Sequence, residues 1–125
     1  MKWGKRYSSE FVNRLYRSIL KHTRKQTKLI CFTDDDSQVN EQVICKPLPK
    51  INLPEPISNT PWRKLSVWQS PLANLRGDVL FLDLDLVITG NLDRFFDYKP
   101  GYYCVIENWT QLGHNIGNTS CFRFP

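Results

Sequence analysis

Eleven residues, Val79-Leu-Phe-Leu-Asp-Leu-Asp-Leu-Val-Ile-Thr89, constrain this chain more than any other segment. The run is almost wholly apolar, and Asp83 and Asp85 interrupt it at alternate positions. So short an apolar run reads as a strand buried on both faces. Two carboxylates within it cost several kcal/mol unless a positive partner meets them. In a strand, residues i and i+2 point to the same side, roughly 6.6 Å apart. The pair can therefore converge on one cation. No Lys or Arg lies within the run, so a bound metal is the most economical partner. The plainer alternative is a strand end that runs into solvent with both acids hydrated.

Around this run the chain reads as alternating helices and strands, which predicts an α/β fold. Phe11, Val12, Leu15, Tyr16 and Ile19 predict an amphipathic helix over residues 8–22, with Ser8 or Ser9 as its cap. Buried strands are expected at 28–33 and 42–45, with Asp34-Asp35-Asp36 as a turn between them. Five prolines in residues 46–61 predict a surface loop. A helix is expected from Trp62 to Leu75, with Leu65, Trp68 and Leu72 along its inner face. Leu92–Phe96 reads as a helical turn, and Tyr102–Ile106 and Ser120–Phe124 as strands. The Asp pair then falls at the carboxyl end of a central strand. Open α/β sheets bind their ligands beyond such ends.

With 125 residues, one domain with a modest core is expected over 1–125. No stretch approaches the roughly 20 apolar residues of a membrane span. The basic N-terminus lacks the apolar core of a signal peptide. Cys31, Cys45, Cys104 and Cys121 form no C-x-x-C pair, and reduced core thiols are expected. Together these place the chain in a reducing, cytoplasmic setting. The net charge is +5, and the excess gathers between Lys2 and Lys28. Such a basic segment suits a phosphate-bearing ligand, nucleic acid or an anionic membrane surface, and equally a solvated helix face.

Residues 62–96 resemble the core of a GT-A glycosyltransferase, most of all glycosyltransferase family 8, the glycogenin and galactosyltransferase type. The resemblance rests on Lys64-Leu65 ahead of the strand, Asp83-x-Asp85 at its end, and the turn Gly90-Asn-Leu-Asp-Arg-Phe95 after it. Gly117-Asn-Thr-Ser-Cys-Phe-Arg-Phe124 resembles that family's later Asn-Ser/Thr strand. Trp3-Gly4-Lys-Arg-Tyr7 resembles its nucleotide-binding loop. The resemblance implies a mostly parallel GT-A sheet flanked by helices, here the nucleotide-binding part and incomplete at its C-terminus. It implies transfer of a sugar from a nucleotide-sugar donor, a UDP-sugar, to an acceptor hydroxyl on a glycan, protein or lipid.

The resemblance also implies roles. Asp83 and Asp85 would hold Mn²⁺ or Mg²⁺ against the donor diphosphate, and Lys64 would contact the diphosphate or the donor sugar. Tyr7 would stack on the base within the loop of Trp3 and Gly4. Asp34 or Asp35 would bond the base or ribose. Asn118 and Ser120 would reach the transferred sugar or acceptor hydroxyls. The family's third metal ligand is a histidine far downstream, and His114 is a weaker candidate for that place. His22, at a helix end, reads as structural. Retention of anomeric configuration is implied, but no carboxylate is evident as a nucleophile.

Two other readings stay open. The Asp83/Asp85 strand also resembles the first motif of haloacid-dehalogenase-type phosphatases, with a nucleophilic and an acid/base aspartate. No acidic pair follows it here. A basic nucleic-acid-binding module fits the charge, but the recognition motifs of such modules are absent. Nucleic acid is therefore not the expected partner, whereas peripheral membrane contact is compatible with the charge.

Overall fold

The computed structural model describes residues 1–125 and is mixed α/β. Two compact units form: Met1–Tyr16 with Lys28–Leu75, and Arg17–Thr27 with Arg76–Pro125. No helix is long and apolar enough to cross a membrane.

Helix α1 spans Ser9–His22, close to the predicted limits, and buries Val12 and Leu15 from its apolar stripe. Its first half belongs to the first unit, where β1 (Ile30–Thr33) and β2 (Ile44–Pro47) pair in parallel with Cys31 opposite Cys45. Lys2 adds a parallel bridge to Thr33, which places β1 in the middle. β1 is buried along nearly its whole length, as its continuous apolar run predicts. β2 begins two residues later than expected, because turn chemistry at Asn40 takes the preceding residues. Asn40 Oδ1 accepts the Gln42 amide at 2.9 Å, and Asn40 O accepts the Val43 amide at 2.9 Å.

The expected helix over 62–75 is shorter and of another kind. A 3₁₀ helix covers Pro61–Trp68, and Gln69 is already extended. Ser70 precedes Pro71, and proline disfavours helical backbone in the residue before it. The tighter winding also turns a different face inward. Ser66 and Val67 are buried, whereas Leu65 and Trp68, expected to face the core, are exposed.

In the second unit, β3 (Val79–Leu82), β4 (Cys104–Glu107) and β5 (Gly117–Phe124) form an antiparallel sheet in the order β3-β5-β4. The mostly parallel sheet implied by the resemblance is not shown; the strands divide into a parallel pair and this antiparallel three. β3 is accordingly an edge strand and not a central one. Nor does it run to Thr89: β3 ends at Leu82, one further backbone rung forms at Asp83, Leu84 and Asp85 turn, and Val87 is 84% exposed. Charged side chains end the ladder where burial could not accommodate them. Phe81 lies opposite Phe122 with the rings stacked at 4.7 Å, and this pair centres the sheet.

Short helix α2 (Asp93–Asp97) is fixed from both ends. Asp93 accepts from the Thr23 hydroxyl, and from the Arg24 and Lys25 amides at 3.1 and 3.4 Å. Leu92 is buried, its amide donating to His22 O at 2.8 Å, and Asn91 Oδ1 accepts the Asp93 amide at 2.6 Å. The Asn-Leu-Asp turn thus fastens the end of α1. At the other end Arg123, 0% exposed, donates to the carbonyls of Phe95 and Phe96 at 2.9 and 3.1 Å, and to Lys99 O and Tyr102 O.

Two expectations follow. A Cβ at Gly117 would lie 2.8 Å from Val105 Cγ2, so Gly117→Ala should destabilise the sheet by about 1–2 kcal/mol through overpacking. Val105→Ala should relieve most of that loss, measured by urea unfolding of the single and double variants. The Thr23 hydroxyl, then the Arg24 and Lys25 amides, hold the Asp93 carboxyl below the ordinary carboxylate range. Its contribution is therefore complete above the unfolded value near 3.9 and is lost as pH falls through the lower folded value. Asp93→Asn should lower the melting temperature by a constant margin down to about pH 4, and that margin should shrink below it.

Candidate metal and nucleotide site

Asp83 stands immediately beyond the carboxyl end of β3, half-buried, and Asp85 is exposed in the turn that follows. Leu84 between them is buried and anchors that turn. The Asp83 amide donates to Ser120 O at 2.9 Å, continuing the β3–β5 ladder by one rung. Asn118 Oδ1 in turn accepts the Ser120 amide at 2.9 Å. The fold therefore brings Asp83 beside Ser120 and Asn118, two residues expected to reach sugar hydroxyls. The neighbouring Cys121 thiol is pushed up to about 11 by burial and then by the Asp83 charge. It stays protonated at neutral pH and is a poor nucleophile.

Two carboxylates are hard oxygen donors. No third His, Cys, Asp or Glu joins them in a metal-binding group. Asp85 lies in a turn and not in the strand, so the alternation that would point both carboxylates to one side of a strand does not extend to it; oxygen donors of this kind are what Mg²⁺ and Mn²⁺ take. His114 lies exposed in the loop between β4 and β5, outside any such group. His22 Nδ1 is 2.8 Å from Ser18 O within α1, in keeping with a structural role.

The first unit carries the residues expected to meet the nucleotide. Gly4 N donates to Asp34 Oδ2 at 2.9 Å, and the buried Lys2 ammonium donates to Asp35 O at 2.7 Å. These bonds tie the Trp3–Tyr7 loop to the segment following β1. The Ser37 hydroxyl and amide hold the Asp35 carboxyl below its usual range. Tyr7 packs edge-on against Phe11 at 5.0 Å, with the Arg6 guanidinium 5.4 Å from its ring centroid. Trp3 is half-buried beside Gly4, and Lys64 is half-buried on the 3₁₀ helix.

A cleft of about 410 Å³ opens at the carboxyl ends of β1 and β2, lined by Thr33–Asp36 and Cys45–Leu48. This is the size of a small-molecule site, at the strand ends where parallel sheets bind ligands. Three acids against Lys46 make it a place for hydroxyl and N–H donors more than for phosphate. The sequence pattern marks Cys45 only as an expected core thiol and gives Lys46 no role, since neither carries a local functional signal. The parallel pairing of β1 with β2, once recognised, points to them.

Comparison with known proteins returned nothing: no family model, curated protein or solved structure matches this chain.

Proposed function

We propose that this chain is the nucleotide-sugar-binding part of a metal-dependent GT-A-type glycosyltransferase, transferring a sugar from a UDP-sugar to an acceptor hydroxyl. The observation that carries the reading is Asp83-x-Asp85 at the carboxyl end of β3, hydrogen-bonded through the Asp83 amide to a strand bearing Asn118 and Ser120. The motif resemblance supports it.

In this reading Asp83 and Asp85 hold the cation. Bound there, a divalent metal would supply Lewis-acid charge. Lys64 adds positive charge toward the diphosphate. Asn118 and Ser120 orient sugar or acceptor hydroxyls by hydrogen bonds. Asp34 and Asp35 accept from ribose hydroxyls or a base N–H, while Trp3, Gly4 and Tyr7 form the loop that holds the nucleoside. Each of these residues binds or orients, and none is assigned as a nucleophile.

Calorimetric titration with UDP, with and without Mn²⁺, tests the proposal. Binding that requires the metal supports it. Binding of equal strength in a chelator, or no binding in either condition, overturns it.

A further inference from the structure

Helix α1 has one buried side and one strongly basic side. Val12 and Leu15 point inward, and Arg17, Leu20 and Lys21 share the opposite, exposed face. Arg24, also exposed, continues that stripe just past the helix end. From Arg14 to Lys28 the chain carries Arg14, Arg17, Lys21, Arg24, Lys25 and Lys28, and no Asp or Glu. Two acids reach this segment from α2, and both bind within residues 23–25. Asp97 pairs with Lys25 at 2.7 Å, and Asp93 binds the Thr23 hydroxyl and the Arg24 and Lys25 amides. Those bonds also hold residues 23–25 in place, so Arg24 is presented on an anchored segment. Leu20, amid these cations, is 57% exposed. Beyond α2, exposed Tyr98 and Lys99 follow, with the Lys99 ammonium 5.5 Å from the Tyr98 ring centroid.

We infer that this face docks on an anionic lipid surface. Positive charge on one helix side complements a negatively charged leaflet, with each Lys or Arg near such a surface worth roughly fivefold in affinity. Leu20 then enters the headgroup boundary, as apolar residues of interfacial helices do. A nucleic acid would use the cations equally well. It would leave Leu20 in water, and Arg17, Lys21 and Arg24 have no aromatic residue among them on which a base could stack.

The test is co-sedimentation of the whole chain with vesicles of phosphatidylcholine alone, or of phosphatidylcholine mixed with phosphatidylglycerol. Binding is expected to the mixed vesicles only, and to weaken as salt shortens the Debye length. The triple variant Arg17→Gln/Lys21→Gln/Arg24→Gln should bind them about 100-fold more weakly, from three cations at roughly fivefold each. All three positions are exposed and Gln is a good helix former, so the circular dichroism melt should match wild type. Leu20→Gln should weaken binding several-fold without changing the salt dependence, which separates insertion from charge. Three results would overturn the inference: no binding to the mixed vesicles at low salt, equal binding by the triple variant, or displacement of bound protein by an equimolar single-stranded oligonucleotide.

Discussion

In the Asp83→Asn/Asp85→Asn variant, Mn²⁺-dependent UDP binding is expected to fall by on the order of 100-fold or more. Loss of a mere outer-sphere partner commonly costs a metal site ten- to hundredfold, and this change removes both charged ligands. Asparagine keeps the shape and one acceptor oxygen but carries no charge to offset the cation. The fold should survive. Asp83 is half-buried and Asp85 exposed, and the rung from the Asp83 amide to Ser120 O is a backbone bond that the substitution leaves in place. Calorimetry with UDP and Mn²⁺, alongside a thermal melt, reads both quantities. Undiminished metal-dependent binding in a folded double variant would remove Asp83 and Asp85 from the proposed site.

Arg123→Met is expected to lower stability by about 4 kcal/mol, since stripping the partner from buried polar groups costs about 1–3 kcal/mol apiece. Arg123 is wholly buried on β5, and its guanidinium serves four carbonyls, those of Phe95, Phe96, Lys99 and Tyr102. Asp78 adds a carboxylate oxygen at 3.7 Å. Methionine fills much of the volume and satisfies none of these acceptors. Typical domains are stable by about 5–15 kcal/mol, so the variant should be close to unfolding. Arg123→Lys should recover only part of the loss, because a compact ammonium cannot reproduce the planar fork. Guanidinium unfolding followed by Trp fluorescence checks both variants. A loss under about 1 kcal/mol for Arg123→Met would mean that water replaces the guanidinium at these carbonyls.

The residues behind the two largest expected effects are unequally visible in the sequence. Asp83 and Asp85 stand out because carboxylates interrupt an apolar run, and that contrast is local. Arg123 lies in Ser120-Cys-Phe-Arg-Phe124, where nothing nearby distinguishes a buried arginine from an exposed one. Its partners lie more than 20 residues upstream and are backbone carbonyls, which every residue possesses. The same holds for Asp93. Asn91-Leu-Asp-Arg-Phe95 enters the sequence analysis only as a turn that carries the resemblance, yet the Asp93 carboxylate holds the end of α1, 70 residues earlier in the chain.

Local patterns therefore determined the elements that depend on near neighbours. The amphipathic stripe specified α1, the apolar run specified β1, and the turn residues specified the start of α2. They also determined which carboxylates mark a candidate cation site. Strand partners, by contrast, were decided only by the tertiary structure. β3 became an edge strand, antiparallel to a strand almost 40 residues later, because pairing depends on which backbone edges and faces meet after the chain returns. The cleft at the ends of β1 and β2 and the burial of Arg123 arise from the same long-range pairing. No window of neighbouring residues carries that information, since the interaction energy lies between segments that are remote in sequence.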